Sequence, residues 1–301
     1  MILFTSQRPL ERAENIKAVY DAYDGAKRFE RLNMYRQIPD LHSGKYELQV
    51  TDELPSDTVG KCLFISHGMG GNKTYGLQQP HPYFNRPDLI TAAIATSKDT
   101  MPVVAKYCGI SESQVVITGL PRTDAYFNKP QKESGKRNYL YVPTFRSWFN
   151  WWAPEWSSLD ELLNDDEEFI VKPHMVTKRL LPEKPRKHIF EADSMKPSTE
   201  FLLRADVVIT DYSSIMFDAF VMRTPVVLFA KDRHKYLRER GMYLEYPDKY
   251  SDYFCHREDY MVQMIRYAEW TPHMEELRDY YAGACNGRST ERVIELIKSM
   301  L

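Results

Sequence analysis

Cysteine is scarce in this chain of 301 residues. Four are present, at 62, 108, 255 and 285, and no two form a C-x-x-C pair. That spacing argues against a zinc ribbon and offers no disulfide framework, so a reducing cytosol suits it best. Long apolar runs are also missing. Nothing approaches the roughly 20 residues needed to cross a bilayer, and the apolar start Ile2-Leu3-Phe4 is too short for a signal peptide. Neither sign of charge dominates: 40 Lys and Arg face 42 Asp and Glu, for a net charge of −2. No global basic field is available to recruit nucleic acid. There is no internal repeat and no low-complexity tract. What remains is ordinary for a globular protein, with 43% hydrophobic and 27% charged residues. Aromatics stand out at 13%, with 20 tyrosines and 5 tryptophans.

The length accommodates two domains. Apolar runs of strand length alternate with helical runs, the pattern of an α/β chain with parallel sheets. Strands are expected at Lys61–Ser66, Ile90–Thr96, Gln114–Thr118, Tyr139–Val142 and Glu168–Val171. Helices are expected at Met101–Tyr107, Ser158–Leu163, Arg257–Trp270 and Arg288–Leu301. The polar stretch Glu133–Asn138 reads as a linker. The expected organisation is an N-terminal Rossmann-like domain over 1–132, a second over 137–285, and a helix over 286–301 that packs back toward the first. Two such domains would face each other across a cleft.

The most informative stretch is Arg204–Asp232. Val207–Ile209 is short, β-branched and apolar, as in a strand buried on both faces. Thr210–Ser214 is small and polar. Ile215–Met222 resumes at helical spacing, Thr224-Pro225 stops the helix, and Val226–Phe229 starts the next strand. Ligands of open α/β sheets sit at the carboxyl ends of strands. Thr210, Asp211, Ser213 and Ser214 would there offer hydroxyls and helix N-terminal amides to a phosphate. A second reading fits equally: Asp211 and Ser213 only cap the helix.

The other strands also end in unusual loops: His67-Gly68-Met69-Gly70-Gly71-Asn72-Lys73-Thr74, Gly119-Leu120-Pro121-Arg122-Thr123-Asp124, Pro143-Thr144-Phe145-Arg146 and Lys172-Pro173-His174. Arginine and lysine neutralise phosphate, and a neutral histidine can accept a hydroxyl proton near pH 7. Taken singly, His67 and His174 read as hydrogen-bonded loop histidines, and Arg122 and Arg146 as surface ion-pair partners. The glycine-rich loop misses the Walker spacing, which argues against a kinase or ATPase.

In this order the loops resemble the CDP-glycerol:poly(glycerophosphate) glycerophosphotransferases, the teichoic-acid primases and polymerases. Arg240-Gly241-Met242-Tyr243 and Asn286-Gly287-Arg288-Ser289-Thr290-Glu291-Arg292 match two later elements, so the likeness spans roughly residues 60–295. The resemblance implies a GT-B-like fold. It also implies transfer of glycerol phosphate or ribitol phosphate from a CDP-alditol to an acceptor hydroxyl, with release of CMP. The acceptor would be lipid-linked or a glycan, in teichoic-acid or capsule-like polymer synthesis. Under it, His67 is the base facing the acceptor, and His174 contacts the donor phosphates or assists the leaving CMP. Ser213 and Ser214 hold the transferred phosphate. Arg122, Pro143, Thr144, Arg146, Lys172, Thr210 and Asp211 serve the donor, while Gly68, Lys73, Asn286 and Arg288 lie toward the acceptor. No carboxylate cluster at metal-ligand spacing is evident, so no obligatory cofactor is expected. The implied location is the bacterial cytoplasm, extending to the inner face of the membrane. The chain departs from the family after His67-Gly68, where Met69-Gly70-Gly71-Asn72 replaces Thr-Pro-Leu-Lys, and at Asn286, where aspartate is usual. The first domain is also short.

Four tryptophans, Trp148, Trp151, Trp152 and Trp156, fall within nine residues. Three readings are open: a peripheral membrane contact, with Lys178, Arg179, Lys184, Arg186 and Lys187 nearby to meet anionic lipid; a stacking platform for a glycan or cytosine; or simple packing against the next helix. Two functional alternatives to the alditol transferase also remain, a GT-B enzyme using a UDP-sugar and a cleft that binds without turnover.

Overall fold

The computed structural model divides into two compact units, Met1–Asn128 with Leu277–Leu301, and Lys129–Glu276. It describes all residues except 33–37, 39, 67, 69–86, 129–134, 147–151, 175, 176, 178, 183, 185 and 241–247. The second unit ends at Glu276, earlier than the 285 expected from the sequence.

The first unit holds six parallel strands: β1 (Ile2–Ser6), β2 (Lys27–Arg31), β3 (Leu48–Thr51), β4 (Cys62–Phe64), β5 (Ala92–Ala95) and β6 (Val115–Ile117). Their order across the sheet is β2-β1-β3-β4-β5-β6. The four inner strands are buried along their whole length, including the polar Thr5, Ser6, Gln49 and Thr51 that interrupt the apolar runs of β1 and β3. The two edge strands are partly exposed. Helices α1 (Glu14–Ala22) and α2 (Met101–Cys108) connect strands. Pro102 opens α2, and Gly109 closes it in the left-handed conformation, φ 70°.

The second unit has its own six parallel strands: β7 (Arg137–Tyr141), β8 (Glu167–Val171), β9 (Ile189–Glu191), β10 (Val207–Thr210), β11 (Val226–Phe229) and β12 (Phe254–Cys255). Their order, β12-β11-β10-β7-β8-β9, is the 3-2-1-4-5-6 arrangement of a Rossmann sheet. The helices are α3 (Trp156–Leu162), α4 (Ser198–Leu202), α5 (Ile215–Val221), α6 (Arg233–Arg240) and α7 (Glu258–Arg266). Glu155 caps α3 by accepting from the Ser157 and Ser158 amides. Helix α8 (Pro272–Ala282) carries the chain across the unit boundary, and α9 (Ser289–Met300) follows it.

Tyr141 lies in the core of the second unit, within 6.1–6.4 Å of the rings of Trp156, Phe169 and Phe229. Each buried ring contributes about 1.5–3 kcal/mol. Trp152 and Trp156 belong to this core at 3% and 7% exposure, so neither can reach a membrane or stack a ligand from the surface. Trp148 and Trp151 lie outside the described residues. Among the described residues no helix is long and apolar enough to cross a membrane. All four cysteines are buried, and none forms a disulfide.

Candidate active site

A Rossmann sheet opens a crevice where its strand order reverses. In the second unit that point lies between β7 and β10, because β8 and β9 extend one way and β11 and β12 the other. The loops that leave these two strands are Val142–Arg146 and Asp211–Ser214. Pairing of β7 with β10 therefore brings together two motifs that are far apart in sequence.

Asp211 joins the loops. Its carboxylate accepts from the Thr144 amide at 2.9 and 3.1 Å and from the Tyr212 amide at 2.5 Å. Arg146 donates to Asp211, to the Thr144 carbonyl, and in bidentate fashion to Asp232 at 2.9 Å for both bonds. Asp232 follows β11, so the carboxyl ends of three adjacent strands are tied by one guanidinium. The Arg146 guanidinium carbon lies 4.3 Å from the Trp152 ring centroid, 5.0 Å from Tyr212 and 5.4 Å from Tyr236. Tyr212 and Tyr236 stack with centroids 3.8 Å apart, and the Tyr212 hydroxyl donates to Asp232. Burial alone would lower the Arg146 pKa, but Asp211 and Asp232 outweigh it and keep the guanidinium charged.

The structure thus places Arg146 and Asp211 beneath the loop surface, with side chains 1% and 0% exposed. Lys172 is buried as well, its ammonium donating to the carbonyls of Pro173 and Ser194. Thr210 donates to the Val142 carbonyl at 2.6 Å. These four brace the loops. A different set reaches the surface. His174 is exposed, with its ring 6.0 Å from that of Phe145. Ser213 and Ser214 are half-buried at the start of α5. The Ser214 hydroxyl makes no capping bond, and Ser213 accepts a long one, 3.4 Å, from the Ile215 amide. Pro143 is buried, and Thr144 is half-buried with its hydroxyl oxygen unpartnered.

In the first unit the strand order reverses between β1 and β3. Ser6 and Asp52 stand at that point, with the Ser6 hydroxyl donating to Asp52 at 3.1 Å. Burial pushes the Asp52 carboxyl up to about 6 and that of neighbouring Glu53 to about 7, despite the opposing charge of Arg8. His67 and Lys73 lie outside the described residues. Flanking His67, the Ser66 hydroxyl donates to the Gly68 carbonyl at 2.9 Å and accepts from the Gly68 amide at 3.4 Å. Arg122 is half-buried, and its amide donates to Asn15 at 3.0 Å. Asp124 accepts from the Ser289 and Thr290 amides, capping α9. Asn286 accepts from Arg292 at 3.0 Å, and Arg288 pairs with Glu291 on the surface. Both are therefore bound into the start of α9. Sequence reasoning missed Asp232, Tyr236, Asn15, Asp52 and Glu53. Their one shared signal is position, at or just after a strand end or in the helix that follows.

The sequence profile of the CDP-glycerol:poly(glycerophosphate) glycerophosphotransferases matches residues 47–299. The chain belongs to that family. Among curated members, it is 25% identical over 259 residues to the teichoic acid poly(ribitol-phosphate) polymerase of Bacillus spizizenii, covering 77% of this chain and 42% of the relative. It is 22% identical over 265 residues to the teichoic acid glycerol-phosphate primase of Bacillus subtilis, covering 80% of this chain and 68% of that one. The fold matches the wall teichoic acid polymerase TagF with a TM-score of 0.80 at 18% identity, covering 100% of this chain and 88% of TagF. A putative UDP-N-acetylglucosamine 2-epimerase from Listeria monocytogenes shares the fold less closely, with a TM-score of 0.61. The fold class is accordingly GT-B-like, with two parallel α/β units as the sequence patterns implied. In this chain the motifs around Arg146 and Asp211 form a buried ion-pair brace.

Proposed function

We propose that this glycerophosphotransferase-family chain moves glycerol phosphate or ribitol phosphate from a CDP-alditol to an acceptor hydroxyl, in synthesis of a cell-surface polymer of the teichoic-acid type. The acceptor oxygen attacks the phosphorus that carries the alditol. The bond from that phosphorus to the CMP oxygen breaks, CMP leaves, and the acceptor proton passes to His67. The observation that carries this reading is the β7/β10 switch point, where the Pro143–Arg146 and Thr210–Ser214 motifs meet on a rigid brace.

Phosphoryl-type transfer depends mainly on positioning and charge stabilisation. The surface-reaching groups suit that need. Ser213 and Ser214 hold the transferred phosphate, Thr144 offers its hydroxyl to the donor, and His174 stands by the diphosphate to assist the departing CMP. Arg146, Asp211, Lys172 and Thr210 hold these groups in place from below. A capsule-like product and a contact with the membrane face belong to this reading as its outer extension.

CMP release from CDP-glycerol and CDP-ribitol, with a glycerol-phosphate-primed acceptor, tests the proposal. Replacing His67 or His174 by alanine should cost about 10²–10⁴-fold. No release from either donor, together with thermal stabilisation by a UDP-sugar and not by CMP, would move the chain to the UDP-sugar enzymes.

A further inference from the structure

Asn15 is the second residue of α1 and is only 2% exposed. Asparagine is a poor helix former, and this one does not cap its own helix. Its side chain is spent elsewhere. The amide nitrogen donates to the Ser66 carbonyl at 3.0 Å, and the amide oxygen accepts from the Arg122 backbone N–H at 3.0 Å. Ser66 is 51 positions away in the sequence and Arg122 is 107. One buried carboxamide therefore links the loop after β4 to the loop after β6.

The Ser66 carbonyl belongs to the peptide bond that leads directly into His67. Ser66 itself adopts φ 54°, a left-handed conformation disfavoured for a residue with a Cβ. Such strain persists only where surrounding bonds over-determine it. Here Asn15 holds the carbonyl while the Ser66 hydroxyl binds both backbone polar atoms of Gly68. Arg122 stands in the Gly119–Asp124 loop, which is fixed on its far side by Asp124 at the start of α9.

We propose that Asn15 is a positioning residue for the transfer reaction: its carboxamide ties the Ser66 backbone, one residue before the His67 base in sequence, to the Arg122 loop. The inference rests on the reading of His67 as base given above. Asn15 touches no substrate in this role. It acts through the Ser66 and Arg122 backbones, and a shift of about 1 Å in such a frame can cost on the order of 10²-fold in rate.

The test compares the full chain with Asn15→Ala and Asn15→Asp. Alanine removes both bonds. Ionised aspartate keeps the acceptor for Arg122 but turns a carboxylate oxygen on the Ser66 carbonyl. When protonated, aspartate regains a donor and mimics asparagine. The expected result for Asn15→Ala is a 10- to 100-fold fall in kcat with KM for the CDP-alditol unchanged. For Asn15→Asp, activity relative to the original chain should rise as pH falls, a trend absent for alanine. Hydrogen exchange should show lost protection at the Arg122 amide in Asn15→Ala, with the rest of the first unit unchanged. Activity within twofold of the original chain, or an Arg122 amide still protected, would overturn the proposal. Should alanine unfold the first unit, the aspartate pH trend decides. Should the original chain transfer neither alditol phosphate, the functional reading fails, while exchange at Arg122 still judges the clamp alone.

Discussion

Arg146 shows how a charged residue in a loop can serve a site without facing it. Its guanidinium is shared by Asp211 and Asp232, two buried carboxylates in the loops that follow different strands. Removing it by Arg146→Met would leave both without their counter-charge, at a cost of about 3–5 kcal/mol. Lysine would keep the charge but lose the bidentate geometry to Asp232, so Arg146→Lys should recover only part of that loss. Urea unfolding followed by tyrosine and tryptophan fluorescence measures both, and equal stability of Arg146→Met and the original chain would refute the brace. Asp52 presents the opposite case, a buried carboxyl whose pKa burial raises from 3.8 to about 6. The folded state then binds the proton more tightly than the unfolded state between those values. Its contribution to stability is fully present below about pH 4 and is lost as pH rises through about 6. Asp52→Asn should remove this dependence and raise stability at pH 7 by up to about 3 kcal/mol. Melting curves from pH 4 to 7 will show it as a flatter profile, and parallel profiles would contradict it.

At the scale of elements, the legible strands were those buried on both faces. Val207–Thr210 is β-branched throughout and Val226–Phe229 is apolar throughout, as suits central parallel strands buried along their whole length. The edge strand Lys27–Arg31 reads KRFER and carries no such signal, since only its neighbour β1 requires an extended chain there. The site was legible to the same degree. Thr144, Ser213 and Ser214 could be placed at strand ends from local pattern alone. The burial of Arg146 could not, because it depends on Asp232, 86 positions away, reached only once β7, β10 and β11 are side by side. The Gly119 loop is intermediate. Its glycine is required by φ 78° and by close approach, since a Cβ there would lie 2.7 Å from the Ala284 carbonyl oxygen and against the Ser289 hydroxyl. Gly119→Ala should therefore cost at least about 2 kcal/mol. Thermal unfolding checks this, and a loss under 0.5 kcal/mol would mean that the loop re-forms without strain.

For the whole molecule, the second unit is an insertion in the chain of the first. The chain leaves the first unit after Asn128 and returns at Leu277, so the first unit is completed only by residues that follow the second in sequence. Helix α9 is central to that completion. Val293 and Ile297 are fully buried, Asp124 caps the helix, and Arg292 donates to the carbonyls of Thr118 and Ala284. Two buried aliphatic side chains contribute about 1.5–3 kcal/mol each and the cap about 1 kcal/mol, so truncation before Ser289 should cost about 4–7 kcal/mol. That is a large share of the 5–15 kcal/mol typical of a domain. The loss should fall on the first unit, to which α9 belongs. Hydrogen exchange on the truncated chain should report early exchange across β1–β6 with protection kept in β7, β10 and β11. On the proposed function, thermal stabilisation by CMP should survive with the β7/β10 switch point intact, while alditol-phosphate transfer is lost with the first unit. Loss of protection in both units to the same extent would mean instead that they fold as one cooperative body, and that α9 supports the second unit as much as its own.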